Sequence, residues 1–186
     1  MPKRPLSSKK NHELPPWAQV YVGIDPGANG GIAAIRDYGS GEPLSVAAWK
    51  MPPTERDLWN LLSKLPPGQQ YAVIEGQSPR PTAVFDRRLN SWRNTILKST
   101  CLLWGNYCQL RAMLIAAGIR FEEAVPRTWQ TALKISPKKK DEAPGKWKNR
   151  LKAKAQQLFP DVTVTLATAD ALLLAEYCRR LNLRKQ

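Results

Sequence analysis

Two carboxylates in this chain each close an apolar run. Asp25 follows Val-Tyr-Val-Gly-Ile at 20–24, and Glu75 follows Tyr-Ala-Val-Ile at 71–74. A carboxylate beside a strand core is costly unless a partner offsets its lost hydration. A bound cation or a hydrogen-bond donor is therefore expected at each. Neighbouring strand ends would bring both acids within reach of a shared ion, the arrangement of metal-assisted phosphate chemistry. For Asp25 alone, a turn aspartate in a hairpin is an equally good reading. Gly27, Gly30 and Gly31 follow it and permit backbone that bulkier residues cannot adopt. A third acid, Asp170, stands near the start of the Ala/Leu-rich stretch 169–177. Taken by itself it reads as a capping residue, because a helix N-terminus stabilises a carboxylate.

Positive charge surrounds these acids. The 186 residues include 29 Lys and Arg against 15 Asp and Glu, a net charge of +14. That excess implies a polyanionic partner. Residues 76–92 interleave Arg80, Arg87 and Arg88 with Phe85 and Trp92. Arginine meets phosphate and an aromatic ring stacks on or wedges between bases; the competing reading is a surface loop pinned by its aromatics. Residues 134–154 hold a second basic run, including Lys138, Lys139, Lys140, Lys146, Lys148 and Arg150, which reads as phosphate contacts. The sole histidine, His12, lies in a polar segment, which argues against zinc chemistry and a Ser/His/Asp triad. Cys101, Cys108 and Cys178 have no metal-ligand spacing and read as reduced core thiols.

The elements that must position the acids follow from periodicity. A hairpin spans 20–35 and a third strand 44–50. Thr54 caps a helix, with Asp57 as its first-turn partner. Pro66, Pro67 and Gly68 end that helix. A strand at 71–75, a long loop at 76–92, and a helix at 93–117 ended by Gly118 come next. Residues 119–125 form a strand and 129–133 a short helical turn. A helix at 146–159 and an Ala/Leu-rich helix at 169–177, within the segment 163–180, complete the order. The chain divides into a disordered basic arm (1–16), one domain (17–181) and a basic tail (182–186). No run approaches about 18 apolar residues, so no membrane span is expected. The polar first 16 residues lack a signal-peptide centre. An intracellular, cytoplasmic protein follows, from a bacterial or phage-infected cell, with an organelle left open.

An Asp-x-Gly turn such as Asp25-Pro-Gly27 also occurs in actin-like and sugar-kinase ATPases. That two-lobed fold needs more chain than one domain supplies. The order of elements instead resembles the ribonuclease H-like fold, and in detail the phage and organellar branches of the RuvC family of Holliday junction resolvases. The resemblance rests on Gly-Ile-Asp-Pro-Gly at 23–27, Ala-Val-Ile-Glu at 72–75, the segment 151–160 ending Leu-Phe-Pro, and Ala-Asp-Ala-Leu-Leu-Leu-Ala-Glu-Tyr at 169–177. It spans nearly all of 20–180.

The resemblance implies an α/β fold, a mixed five-stranded sheet flanked by helices. It implies a Mg²⁺-dependent endodeoxyribonuclease, with Mn²⁺ as substitute, acting on branched DNA as a homodimer. Asp25, Glu75 and Asp170 match the family's acidic, metal-holding positions, and Lys148 matches a basic position near the scissile phosphate. Arg80, Phe85 (as wedge), Arg87, Arg88, Lys138, Lys139, Lys140, Lys146, Lys148 and Arg150 would contact DNA. The long helix around Trp104 would supply part of the dimer interface. The family has a further aspartate three or four residues before the position of Asp170. Ala167 and Leu166 stand there, through natural divergence, a substitute such as Asp161, or a deliberate alanine. A non-cleaving DNA-binding protein, or a nuclease for forks or flaps, explains the charge equally well.

Overall fold

The computed structural model describes residues 18–39, 41–65, 69–78, 81–95 and 97–184. The arm 1–16, the helix stop at 66–68, Arg80 and Lys185 lie outside the described residues. The elements run β1 (Gln19–Asp25), β2 (Gly31–Asp37), β3 (Ser45–Lys50), α1 (Glu55–Leu62), β4 (Gln69–Glu75), β5 (Thr82–Asp86), β6 (Ser91–Thr95), α2 (Lys98–Ala116), β7 (Arg120–Ala124), α3 (Pro126–Ala132), α4 (Pro144–Leu158) and α5 (Ala169–Leu183).

Five strands form one mixed sheet in the order β3-β2-β1-β4-β7. β1 pairs antiparallel with β2, and β2 with β3, while β1–β4 and β4–β7 are parallel. This is the mixed five-stranded, helix-flanked α/β sheet expected from the sequence. β1 lies at its centre and is buried on both faces, which is why it reads as a continuous apolar run. Its side chains alternate between two cores. Val20, Val22 and Ile24 join Leu58, Leu62, Tyr107, Leu110 and Leu114 beneath α1 and α2. Tyr21 faces the opposite core with Trp129, Leu151, Leu172 and Leu173 of α3, α4 and α5.

α5 lies directly on the sheet because Gly23 lets it. A Cβ at Gly23 would stand 2.1 Å from the Ala171 carbonyl oxygen and 2.2 Å from the Ala175 nitrogen. Only glycine allows that approach, and it sets the first turn of α5 over the end of β1. At its other half the helix is tied by Glu176, which is buried. Its carboxylate accepts from Arg179 Nε at 2.9 Å and Arg180 Nε at 2.7 Å. Arg179 also reaches Asp37 of β2 at 3.6 Å. α1 starts as expected: Thr54 Oγ1 accepts the Asp57 N–H at 3.1 Å and donates to its carboxylate at 2.7 Å.

Four expectations need correction. The loop expected at 76–92 contains a hairpin, β5–β6, in which Phe85 pairs with Trp92. Short polar-rich strands hid it: Thr-Ala-Val-Phe-Asp and Ser-Trp-Arg-Asn-Thr show no long apolar run. Asp86 closes its turn by accepting from Arg88 N at 2.9 Å, and Arg93 bridges back to Asp86 at 2.6 Å. The long helix consequently begins at Lys98 rather than at 93. Cys101 is not a core thiol: it is exposed on α2, while Cys108 is half-buried and Cys178 buried. α2 buries only Tyr107, Leu110 and Leu114, so the residues on its other faces meet solvent. At the chain's end α5 runs through Leu183, so residues 182 and 183 are helical.

Candidate active site

Parallel pairing of β1 and β4 sets Ile24 opposite Ile74. Both point into the α1–α2 core. The next residue on each strand must turn to the other face. Asp25 and Glu75 therefore emerge side by side at the C-terminal strand ends, on the side of α5. That end of an open α/β sheet is where ligands bind. Asp170, in the first turn of α5, comes down on the same place. The three carboxylates and Lys148 of α4 line one open cleft of about 510 Å³, together with Gln77, Gln130 and Trp147.

Each acid has its own support. Gly27 N–H donates to Asp25 Oδ1 at 3.2 Å. Gly30 lies against the same carboxyl, where an added Cβ would meet Asp25 Cγ at 2.6 Å. The turn is closed by Gly30 N–H to Gly27 O at 2.8 Å. Glu75 accepts from the indole Nε1–H of Trp129 at 3.2 Å and from Gln77 Nε2 at 3.4 Å. Trp129 is wholly buried, so its N–H is a fixed donor. Asp170 is not spent on capping. Thr165 and Thr168 bond each other at that helix start, Thr165 N–H to Thr168 Oγ1 at 3.0 Å and Thr168 N–H to Thr165 Oγ1 at 3.2 Å.

The electrostatics follow from crowding three acids in a half-dry cleft. Burial pushes Glu75 up to about 7, with the Asp25 and Asp170 charges adding to the rise. Asp170 is raised to about 6 by burial and by Asp25, against the pull of Lys148. Asp25 is raised by burial, with the Gly27 N–H and Lys148 opposing. Carboxyls raised by burial and by one another inside a cleft make this the candidate functional site. A divalent cation would reverse the sign of their environment. Oxygen donors suit Mg²⁺, which takes one or two carboxylates plus waters and phosphate oxygens. Among the described residues, no three or more His, Cys, Asp or Glu side chains stand close enough together to hold a metal ion by themselves. The acids share a cleft rather than a single coordination sphere, and that open arrangement fits an ion completed by phosphate.

Of the other expected contacts among the described residues, only Lys148 lines the cleft itself. Phe85 and Trp92 stack edge-on at 5.5 Å and stay 41% and 70% exposed, so the hairpin presents bare aromatic surface. Arg87 and Arg88 sit at its exposed turn. Lys138, Lys139, Lys140, Lys146 and Lys148 are exposed on the 135–143 segment and the start of α4. Arg150 differs: its guanidinium bonds Glu142 at 3.0 Å and the Pro137 carbonyl at 3.1 Å, and stacks on Trp147 at 4.6 Å. It anchors the lysine-bearing loop to α4. Asp161 is exposed beyond α4 and does not line the cleft. The Ala167 carbonyl would lie 2.8 Å from a Cβ on Gly31, the strand partner of Asp25, so position 167 borders the acids.

Sequence reasoning missed Trp129, Gln77, Gln130 and Trp147. Gln77, two residues after Glu75 in an extended segment, had a local signal. Trp129 had none, since its link to Glu75 crosses 54 positions.

No family model matches the sequence, and no curated protein matches it. Among solved structures the chain is similar to RuvC of Thermus thermophilus. The likeness has 16% identity and a TM-score of 0.45, covering 88% of this chain and 96% of that one. It is also similar to Thermus thermophilus RuvC in complex with a Holliday junction substrate, with 15% identity and a TM-score of 0.48, over 87% of this chain and 96% of that one.

Proposed function

We propose that this protein is a structure-selective, Mg²⁺-dependent endonuclease that resolves four-way DNA junctions. The observation that carries the proposal is the meeting of Asp25, Glu75, Asp170 and Lys148 in one cleft of a chain with net charge +14. Three acids alone would repel a phosphodiester, and a basic surface alone has no use for buried carboxylates. A divalent cation reconciles the two. The four-way junction as substrate rests on the motif order at 23–27, 72–75, 151–160 and 169–177, which resembles the RuvC family.

Asp25, Glu75 and Asp170 would hold the ions, Mg²⁺ or Mn²⁺ in its place. When bound, the metal supplies a nucleophilic water at neutral pH and positive charge for the phosphoryl oxygens. The chain's own residues do the rest. Lys148 draws a phosphate into the cleft and offsets charge on its oxygens. Trp129 and Gln77 hold the Glu75 carboxylate in one orientation, so little reordering is needed on binding. Phe85 and Trp92 give the hairpin a wedge against bases at the branch, flanked by Arg87 and Arg88. Lys138, Lys139, Lys140 and Lys146 hold the arms by phosphate contacts. A two-fold homodimer would cut opposed strands symmetrically. Apolar surface near α2 supports that assembly: Leu97, Leu102, Ile115 and Val125 are 41%, 58%, 68% and 56% exposed.

The test is cleavage of labelled junction, fork and linear duplex with Mg²⁺, against Asp25→Asn. Paired cuts in opposed strands of the junction are expected, with fork and duplex slower. Asp25→Asn should lose at least about 100-fold, since even a ligand's supporting partner is worth 10–100-fold. Equal cutting by both proteins removes Asp25 from the reaction. One observation favours binding without cutting: alanine at 167, beside the acids, where a further carboxylate would fit the family pattern. If Ala167→Asp gains cleavage that the wild type lacks, this second reading holds.

A further inference from the structure

Beside the acid cleft lies a second, separate cavity of about 250 Å³. Its lining mixes polar surface with the apolar side chains of Met51, Pro52, Pro53, Leu58 and Leu110. Its polar groups are Asn106 and Gln109 of α2, with Thr54 and Glu55 at the rim. Thr54 is committed to capping α1. The amides of Asn106 and Gln109 make no hydrogen bond among the described residues. Three residues apart on one helix, they share a face.

Ala28 lines both this cavity and the acid cleft. The cavity wall is also fastened to the acid turn, Met51 N–H donating to the Gly30 carbonyl at 3.0 Å. A strand with its phosphate among the acids would therefore pass the mouth of this cavity.

The chemistry of the lining selects the occupant. There is no lysine or arginine in it, and Glu55 stands at its rim, so phosphate is disfavoured. Each amide offers both a donor pair and an acceptor. Apolar side chains interleaved with uncharged amide groups suit a planar, neutral, hydrogen-bonding ring. The volume falls below the roughly 300–1,000 Å³ of sites for drug-sized ligands, enough for one ring system and too little for a base pair. Asparagine and glutamine amides read base edges, and enzymes take single bases out of the stack at a cost of a few kcal/mol.

We propose that this cavity receives one unpaired nucleobase of the strand whose phosphate enters the acid cleft, read by Asn106 and Gln109. The inference rests on the nucleic-acid reading above and deepens it: the site would set the sequence preference at the cut.

The test uses metal-free complexes in EDTA, so cutting plays no part. Four-way junctions carry a single 2-aminopurine or pyrrolo-cytosine at successive positions around the branch. Binding is followed by anisotropy of a distant label in the same titration. With the wild type, one position should brighten several-fold as its base leaves the stack. Asn106→Ala and Gln109→Ala are partly exposed changes without lost bonds. Each should bind the junction within about twofold of wild type, as expected of residues off the phosphate contacts, and lose most of the brightening. Junction binding with no brightening anywhere, or equal brightening in wild type and both variants, overturns the cavity's role alone. No binding to the junction overturns the nucleic-acid reading and the cavity's role together.

Discussion

Glu75 shows what the site costs the protein. Its carboxyl is raised from 4.5 to about 7 by burial and by Asp25 and Asp170. A carboxyl raised on folding favours the folded state when protonated. Its contribution is complete below about pH 4.5 and is lost as pH rises through about 7. For Glu75 that loss is roughly 3 kcal/mol. Metal-free wild type should therefore be less stable at about pH 8 than at about pH 5.5, by more than Glu75→Gln is, in urea melts. Asp25→Asn should stabilise the metal-free protein at the higher pH while abolishing cleavage. Trp129 works against the same shift, because its indole N–H favours the ionised carboxylate. Trp129→Phe removes that donor and keeps an aromatic ring, at the cost of a small void in a buried position. Glu75 should then ionise at still higher pH, moving the acid limb of the cleavage profile upward and lowering activity roughly 10-fold near neutrality. An unmoved limb with reduced thermal stability would reduce Trp129 to packing.

At the scale of elements, the contact between β1 and α5 delivers the third acid. Gly23→Ala would drive a methyl into helix backbone at 2.1 Å. α5 must lift, costing about 3 kcal/mol or more and carrying Asp170 away from the strand ends. Wild-type stability in that variant, measured by urea melt, would contradict the close packing. Much of this layer was legible in the sequence. β1 and β4 announced themselves as apolar runs ending in acids, and Thr54 with Asp57 announced α1. Asp170 was legible only through its motif, because a first-turn carboxylate on any helix has an ordinary explanation. Hairpin β5–β6 was illegible, because half-exposed strands carry no apolar run and its turn is fixed by Asp86. The Trp129–Glu75 bond was illegible because tertiary pairing leaves no local pattern. The cavity at Asn106 and Gln109 lay beyond reading for the same reason.

Across the described residues, three half-buried acids share one cleft while lysines and arginines lie exposed on the surface. Lys138, Lys139, Lys140, Lys146 and Lys148 are exposed between residue 138 and the start of α4, and Arg87 and Arg88 on the hairpin turn. No helix among the described residues is long and apolar enough to cross a membrane. Junction affinity should fall by about 10³ or more between roughly 50 and 200 mM salt if six or more phosphates are neutralised. Replacing Lys138, Lys139 and Lys140 with alanine should flatten that slope, and a slope unchanged by the triple variant would take this loop off the DNA.

The proposed function depends on Asp25, Glu75 and Asp170 binding divalent cations in the cleft that they share. The direct measurement is a thermal melt near pH 8 with Mn²⁺ titrated against wild type, Asp25→Asn and Asp170→Asn, without DNA. An ion at about 100 times its dissociation constant stabilises the fold by about 2.7 kcal/mol. For a chain of this size that is a rise of roughly 5–10 °C. Wild type should show it and both variants should lose most of it. An equal rise in all three would mean that the ion binds elsewhere and that the three acids are not a metal site.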